Sequence, residues 1–387
     1  MRYCVFIANF LPNLGGVERY TYNLGKKLIQ KGHQVTVITS NVFHLAEYEI
    51  VEGIEVFRIP CFNLLKGRFP ILKPSPAFFR IHRQLKSLNF DFAIIQSRFY
   101  VHCAYGVHYA KIQNLPRFVL EHGTNHFTVN NPLLDWVGSI YEHAISSYIR
   151  HNCKHFYGVS QACCQWLKHF RIQASGQLYN AVDPIQIQSI TQKAPISYRQ
   201  QFHLGNRPIV TFTGRLVKEK GIQKLIQAID ILHQKDVDVA LMVAGNGDLY
   251  QQLQAQNPTG VHLLGLLDFP QVISLLSESE IFCLPTDYPE GFPTSVLEAA
   301  ACGCYIITTN KGGSQELIIQ DDYGVILAEN APEYIAYAIE QAILQPERRN
   351  TAAKKAQQRA LDLFTWDAVS AKVIQISESL IKENMHT

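Results

Sequence analysis

Two doubly wound α/β domains are predicted for this chain, and three observations predict them. Its 387 residues exceed what one ordinary hydrophobic core accommodates. Short apolar runs rich in β-branched residues alternate with stretches of helical periodicity along its length. The alternation begins afresh near residue 209, and no shorter repeat or low-complexity segment interrupts it, so the pattern recurs only at the scale of a domain.

In the first series strands are expected at Tyr3–Ala8, Val35–Thr39, Val56–Ile59, Phe92–Gln96, Phe118–Glu121 and Phe156–Val159. Helices at Val17–Gln30, Pro132–Ile149 and Gln161–His169 separate several of them. The second series places strands at Ile209–Thr213, Val239–Ala244, Val261–Leu264, Ile281–Leu284, Tyr305–Thr308 and Gly324–Leu327. Its helices fall around Ile222–His233, Asp248–Gln256, Pro270–Ser277 and Pro293–Cys302. The polar stretch Asp183–Gly205, with Pro195 and Gly205, reads as the linker. Domains of 1–187 and 188–365 follow, with a C-terminal helix over 366–387 packing back across the junction.

Composition narrows the class. Hydrophobic residues are 47% and charged residues 17% of the chain, a globular balance and not a disordered one. No apolar run approaches the roughly 18 residues that a membrane span needs. The start reads as strand, loop and helix, without the basic region and cleavage site of a signal peptide, so a cytoplasmic location is expected. Nine cysteines are scattered, and the close pairs Cys163/Cys164 and Cys302/Cys304 lack a second pair or a His at zinc spacing. They are expected to be buried, reduced thiols, and no metal site is predicted.

The net charge of +3 conceals an asymmetry. Residues 1–185 hold 19 Lys/Arg against 10 Asp/Glu, and the remainder is acidic. Between Arg58 and Phe90 stand seven basic residues and no acidic one. Such a segment implies a polyanionic surface or ligand on that side. There Arg58, Lys66, Arg68, Lys73, Arg80, Arg83 and Lys86 are interleaved with Phe62, Leu64, Leu65, Phe69, Ile71, Phe78, Phe79 and Ile81. This suits an anionic membrane face, and prolines at 70, 74 and 76 favour a loop with a short helix.

The residues that carry chemistry sit where strands run into helices. Glu290-Gly291-Phe292-Pro293-Thr294-Ser-Val-Leu-Glu298 follows a strand, with Pro293 suited to the first helical position. Backbone N–H groups at such a helix start bind anions and hydroxyls, and Glu298, one turn in, suits ribose hydroxyls. In Phe212-Thr-Gly-Arg215-Leu-Val-Lys-Glu-Lys220-Gly221, Arg215 and Lys220 are placed to clamp a diphosphate and stabilise charge as it leaves. Gly245-Asn-Gly247 is a weaker phosphate-loop signal, since it lacks a third glycine. Leu266, in His262-Leu-Leu-Gly-Leu-Leu267, can hold a flat base. In the first half Gly15-Gly16 allows a phosphate or sugar close to the backbone. His122, in Glu121-His122-Gly-Thr-Asn-His126, is positioned to accept or donate a proton.

Taken together, Gly15-Gly16, Glu121-His122-Gly, Arg215-x4-Lys220, Glu290-x7-Glu298 and Gly312-Gly313-x-x-Glu316 resemble the retaining GT-B glycosyltransferases of family four. The resemblance covers essentially the whole chain. It extends to bacterial surface-polysaccharide transferases through Glu121–Val129, Tyr157–Ser160 and Asn180-Ala-Val-Asp183. One departure is Ala181, where the family commonly has Gly. The resemblance implies two Rossmann-like domains facing a central cleft. It also implies metal-independent transfer from a nucleotide-sugar donor, UDP- or GDP-linked with UDP favoured, and no cofactor. The donor would lie on the second domain and a free or lipid-linked saccharide acceptor on the first, at the cytoplasmic membrane face. It places Arg215 and Lys220 on the diphosphate, Glu298 on the ribose, and Glu290 with the backbone of 291–294 on the sugar. Gly16 would lie near the phosphate and His122 near the reacting face of the sugar.

Rival readings fit less well. A dinucleotide oxidoreductase needs Gly-x-Gly-x-x-Gly after a leading strand and an acid ending the second, and this chain has Thr39-Ser-Asn41 there. An epimerase on the same architecture and a silent sugar-nucleotide-binding subunit remain as alternatives. No nucleic-acid motif accompanies the basic half. Asp236-Val-Asp238 precedes a strand and reads as a solvated loop, so Mg²⁺ is not required.

Overall fold

The computed structural model describes residues 1–385 apart from Leu14, Asn130, Ala194 and Pro195. Leu14 of the glycine loop, Pro195 of the polar stretch and the last two residues of the 366–387 segment therefore lie outside the described residues.

Runs such as Tyr3-Cys-Val-Phe6 and Phe92-Ala-Ile-Ile-Gln96 are apolar at consecutive positions, as strands buried on both faces must be. The first unit contains ten strands: β1 (Arg2–Phe6), β2 (Gln34–Ser40), β3 (Tyr48–Val51), β4 (Ile54–Ile59), β5 (Cys61–Leu64), β6 (Phe69–Leu72), β7 (Phe92–Gln96), β8 (Arg117–Glu121), β9 (Phe156–Gly158) and β10 (Gly176–Gln177). Eight of them form one sheet in the order β10-β9-β8-β7-β1-β2-β4-β3. It is parallel except for β3, which pairs antiparallel with β4 at the edge. Register is set around β1, where Tyr3 faces Val35 on one side and Phe92 on the other.

The second unit carries β11 (Ile209–Thr213), β12 (Ala240–Ala244), β13 (Val261–Gly265), β14 (Ile281–Leu284), β15 (Tyr305–Thr309) and β16 (Val325–Leu327). They form an all-parallel sheet in the order β13-β12-β11-β14-β15-β16. Chain order reverses between β11 and β14. That is where open α/β sheets bind ligands.

By internal contacts the units are Met1–Tyr179 with Trp366–Thr387, and Asn180–Thr365. The stretch expected to be a linker belongs to the second unit and holds the helices Pro184–Gln192 and Tyr198–Gln201. Asp183 starts the first of these by capping Ile185 and Gln186, with Pro184 in the first turn. The terminal helix Trp366–Met385 joins the first unit, where Asp367 pairs with Lys27 at 3.1 Å and Trp366 meets the edge of Tyr20.

The basic segment differs from its sequence reading. Residues 61–72 fold as an antiparallel hairpin of β5 and β6, and Pro76 opens a 12-residue helix, Pro76–Ser87, capped by Ser75. A proline in the first turn costs a helix nothing, so the prolines frame this helix and do not break it. Arg58 is buried and paired with Glu49 at 2.5 Å, and Ile81 is buried too, so neither belongs to a surface patch. Arg80 shares its charge with Glu47. None of the nine cysteines is in a disulfide.

Candidate active site

In the second unit the loop after β11 and the loop after β14 are locked together by backbone. The amides of Asp287 and Tyr288 both donate to the Glu219 carbonyl, at 2.7 and 3.0 Å. Gly221 has φ +76°, and a Cβ there would lie 2.0 Å from the Pro285 carbonyl oxygen. Only glycine permits that approach. A second such contact ties in the loop after β12: a Cβ on Gly245 (φ +149°) would sit 1.8 Å from the Gly214 oxygen. The Gly245 amide also donates to the Gly265 carbonyl at 2.7 Å, joining the end of β13. Gly247 lies against Leu216.

Charged side chains occupy this frame. Lys220 Nζ contacts Glu290 Oε1 at 2.5 Å, with 14% and 10% of the two side chains exposed. Thr286 Oγ1 donates to the same carboxylate at 3.2 Å. Arg215 is exposed, and its guanidinium carbon lies 5.4 Å from the centre of the Tyr288 ring. Lys220 Nζ lies 5.3 Å from that ring. Tyr288 thus holds both cations near its negative face, a role that sequence reading missed because a lone loop tyrosine carries no pattern.

Helix Thr294–Ala301 begins one residue later than expected, with Pro293 as its extended cap residue. Thr294 and Ser295 then head the helix, where N–H groups lack intrahelical acceptors. Gly291 is half-buried, whereas the Phe292 ring is buried against Phe364 and is packing, not ligand surface. The Phe292 carbonyl accepts from the buried Asn180 amide at 2.6 Å. Glu298 is half-buried one turn along, and Leu266 is 78% exposed just beyond β13. Ala181 is not among the positive-φ residues, so the absent glycine costs nothing there.

The first unit is built otherwise. Helix Gly16–Gln30 follows the glycine loop, and the buried Glu18 turns back to its start. Asn13 donates to Glu18 Oε1 at 2.8 Å, and Oε2 is so close that a Cβ on Gly15 would lie 2.3 Å from it. Burial pushes the Glu18 pKa up, and backbone N–H groups of Gly15 and Glu18 partly offset this. The positive end of this helix therefore already faces a carboxyl group of its own. A Cβ on Gly16 would meet nothing within 4 Å.

His122, beyond β8, makes a 2.7 Å hydrogen bond through Nε2 to Gln96 Oε1 and meets the edge of Tyr20. Loss of water around the ring pushes its pKa down to about 3. The imidazole is thus neutral, Nε2–H donates to Gln96, and Nδ1 keeps a lone pair. Behind it lies an ion network absent from the sequence reading: Arg98 contacts Glu121 at 2.9 Å and Glu142 at 3.2 Å, all three at most 2% exposed.

Comparison with known proteins adds the family. The model described as Glycosyltransferase Family 4 matches residues 14–186, and that described as Glycosyl transferases group 1 matches residues 196–359. The chain belongs to the family-four glycosyltransferases. An uncharacterized glycosyltransferase of Methanocaldococcus jannaschii is 23% identical, over 97% of this chain and 98% of its own. The N,N'-diacetylbacillosaminyl-diphospho-undecaprenol alpha-1,3-N-acetylgalactosaminyltransferase of Campylobacter jejuni is 26% identical over 79% of this chain and 81% of its own. Among solved structures, Anabaena HepE in complex with UDP-glucose superimposes with TM-score 0.71 at 17% identity, covering 98% of this chain and 100% of that one. The glycosyltransferase therefore has the GT-B fold, two Rossmann-like domains. Among the described residues no helix of this enzyme is long and apolar enough to cross a membrane.

Proposed function

We propose that this glycosyltransferase moves a sugar, with retention of anomeric configuration, from a nucleoside-diphosphate donor to a saccharide or lipid-linked saccharide acceptor. The observation that carries this reading is the Lys220–Glu290 pair, held at the switch point between β11 and β14 beside Arg215. A diphosphate arriving there meets one guanidinium and one ammonium on a rigid backbone frame. As the glycosidic bond to phosphate lengthens, charge builds on the leaving oxygen, and Lys220 and Arg215 stabilise it. Glu290, as Lys220 turns to the diphosphate, accepts from sugar hydroxyls, and Glu298 takes the ribose. Leu266 offers an apolar face for the base. Neutral His122 serves the acceptor and sugar by hydrogen bonding. Front-face attack, with the leaving phosphate taking the acceptor proton, accounts for retention without an enzymic nucleophile.

The HepE complex supports UDP, and the Campylobacter relative, named for a diphospho-undecaprenol-linked acceptor, supports a polyprenyl-diphosphate acceptor. The site needs no divalent metal, because Arg215 and Lys220 supply the positive charge. Incubation with a panel of UDP- and GDP-sugars plus acceptors, in excess EDTA, is expected to give transfer with retained configuration. Conversion of the donor without transfer, or activity that returns only with Mg²⁺ or Mn²⁺, overturns the reading.

A lipid-linked acceptor calls for a membrane-facing surface, and the first unit offers one. The hairpin exposes Phe62, Leu64 and Leu65, with Lys66, Arg68 and Lys73 alongside. Helix Pro132–Asn152 exposes Leu133, Trp136, Val137 and Ile140 at helical spacing. Phe69 of β6 touches Tyr141 of that helix, so hairpin and helix adjoin. Sedimentation with anionic liposomes, weakened by salt, is expected. Equal binding to neutral and anionic vesicles, or none, removes the membrane surface and leaves the transferase assignment standing.

A further inference from the structure

Three histidines from three separate elements meet in the first unit. His126 lies in the loop after β8, His143 on helix Pro132–Asn152, and His169 in the short turn 168–170. One ring nitrogen from each falls within 4.8 Å of the others. His126 Nε2 and His169 Nε2 are 3.2 Å apart. Two nitrogens bound to one tetrahedral Zn²⁺, at bonds of about 2.0–2.1 Å, would be separated by about 3.3 Å.

The surroundings set the tautomer that a metal requires. His126 Nδ1 lies 3.1 Å from the buried Glu142 Oε2, so Nδ1–H donates to the carboxylate and the Nε2 lone pair points into the cluster. That is the carboxylate–histidine arrangement found behind metal ligands. His169 is held flat on the Trp166 ring, with centroids 4.8 Å apart, and Phe170 backs His143 at the same separation. His143 and His169 are exposed, which gives an ion a way in and leaves a fourth position for water.

We propose that His126, His143 and His169 bind a divalent transition-metal ion, Zn²⁺ or one of like coordination, as a structural clamp. The ion ties the loop carrying His122 to helix Pro132–Asn152. It belongs to the first unit and the diphosphate residues to the second, and its role does not depend on the donor assigned above. No feature of the amino-acid order announces it, because 17 and 26 residues separate successive ligands, unlike the short spacings of zinc motifs.

The test uses the full chain, stripped with chelator and titrated with Zn²⁺ by calorimetry, and with Co²⁺ by visible absorption. One equivalent of Zn²⁺ is expected, with a tetrahedral Co²⁺ spectrum and a melting temperature raised by Zn²⁺. His143→Ala and His169→Ala, both at exposed positions, should each weaken Zn²⁺ binding at least about tenfold, and their combination should abolish the Co²⁺ bands. His169→Gln separates loss of the ligand from loss of packing on Trp166 and should weaken binding as His169→Ala does. Absence of stoichiometric Zn²⁺ binding by the parent chain, or binding that the folded variants leave unchanged, overturns the proposal and marks the 3.2 Å contact as an ordinary imidazole hydrogen bond.

Discussion

The loops beyond β11 and β14 and the loop beyond β8 all leave the ends of parallel strands, yet they treat charge in opposite ways. In the loops of the second unit the charges are partly open: Lys220 pairs with Glu290 and Lys224 with Asp287, while Arg215 stays exposed. In the first unit Arg98, Glu121 and Glu142 are sealed from water and paired as ions, and Arg98 also lies 3.5 Å from the centre of the Phe170 ring. His122 in front of them is uncharged. A charged ligand can meet the exposed Arg215 and compete for Lys220 in the second unit, whereas the buried ions of the first unit can be claimed only by unmaking structure. The difference supports the proposal that the donor diphosphate binds the second unit.

The contrast makes three predictions of decreasing size. Arg98→Ala leaves two buried carboxylates uncompensated and should cost about 3–5 kcal/mol of stability, read by denaturant unfolding. Unfolding within error of the parent would show that Arg98 is not the keystone of that network. Lys220→Ala should do the reverse. It should keep the melting temperature nearly unchanged and lose about 2–4 kcal/mol of transition-state stabilisation, on the order of 30- to 1,000-fold in kcat/KM. Intact kinetics in the folded variant would remove the diphosphate clamp.

The third concerns acid. His102 is fully buried, bonded through Nε2 to the Ile38 carbonyl at 2.8 Å and through Nδ1 to Ser40, and burial pushes its pKa down to about 4. Unfolded, it titrates near 6.5. The unfolded chain therefore binds more protons between those values, and the contribution of neutral His102, complete above pH 6.5, is lost as pH falls towards 4. The stability gap between the parent and His102→Gln should shrink by about 1–2 kcal/mol over that window. A gap independent of pH would mean that the ring is not held neutral by its burial.

Much of this was legible in the order of residues, and the exceptions share a cause. The inner strands of both sheets announce themselves because burial on both faces demands unbroken apolar runs, whereas β3 and β10, short and partly exposed at the edges of the first sheet, do not. The charged loop residues were found because they follow such runs at short, fixed spacings. Helix Val101–Ile112 passed unnoticed, since His102, Cys103, Gly106, Val107 and Tyr109 are buried around most of its girth and no polar stripe marks it. The hairpin β5–β6 was hidden by its prolines and its exposed apolar residues, which imitate a loop. Arg98, Tyr288 and the histidine cluster act through partners distant in the chain, and only folding brings those partners together.

The contact of Gly221 with the Pro285 carbonyl, and of Gly245 with the Gly214 carbonyl, has a consequence for how this enzyme can diversify. Every single-base missense change in a glycine codon introduces a Cβ, and at these two positions a Cβ would collide with backbone that has no room to yield. The frame that holds Arg215, Lys220 and Glu290 therefore offers no neighbouring sequence through which to drift. Under the proposed function, new acceptor preferences arise where substitutions are mechanically tolerated, such as the exposed hairpin and helix surface of the first unit. The arrangement lets one half of the molecule explore while the other stays fixed.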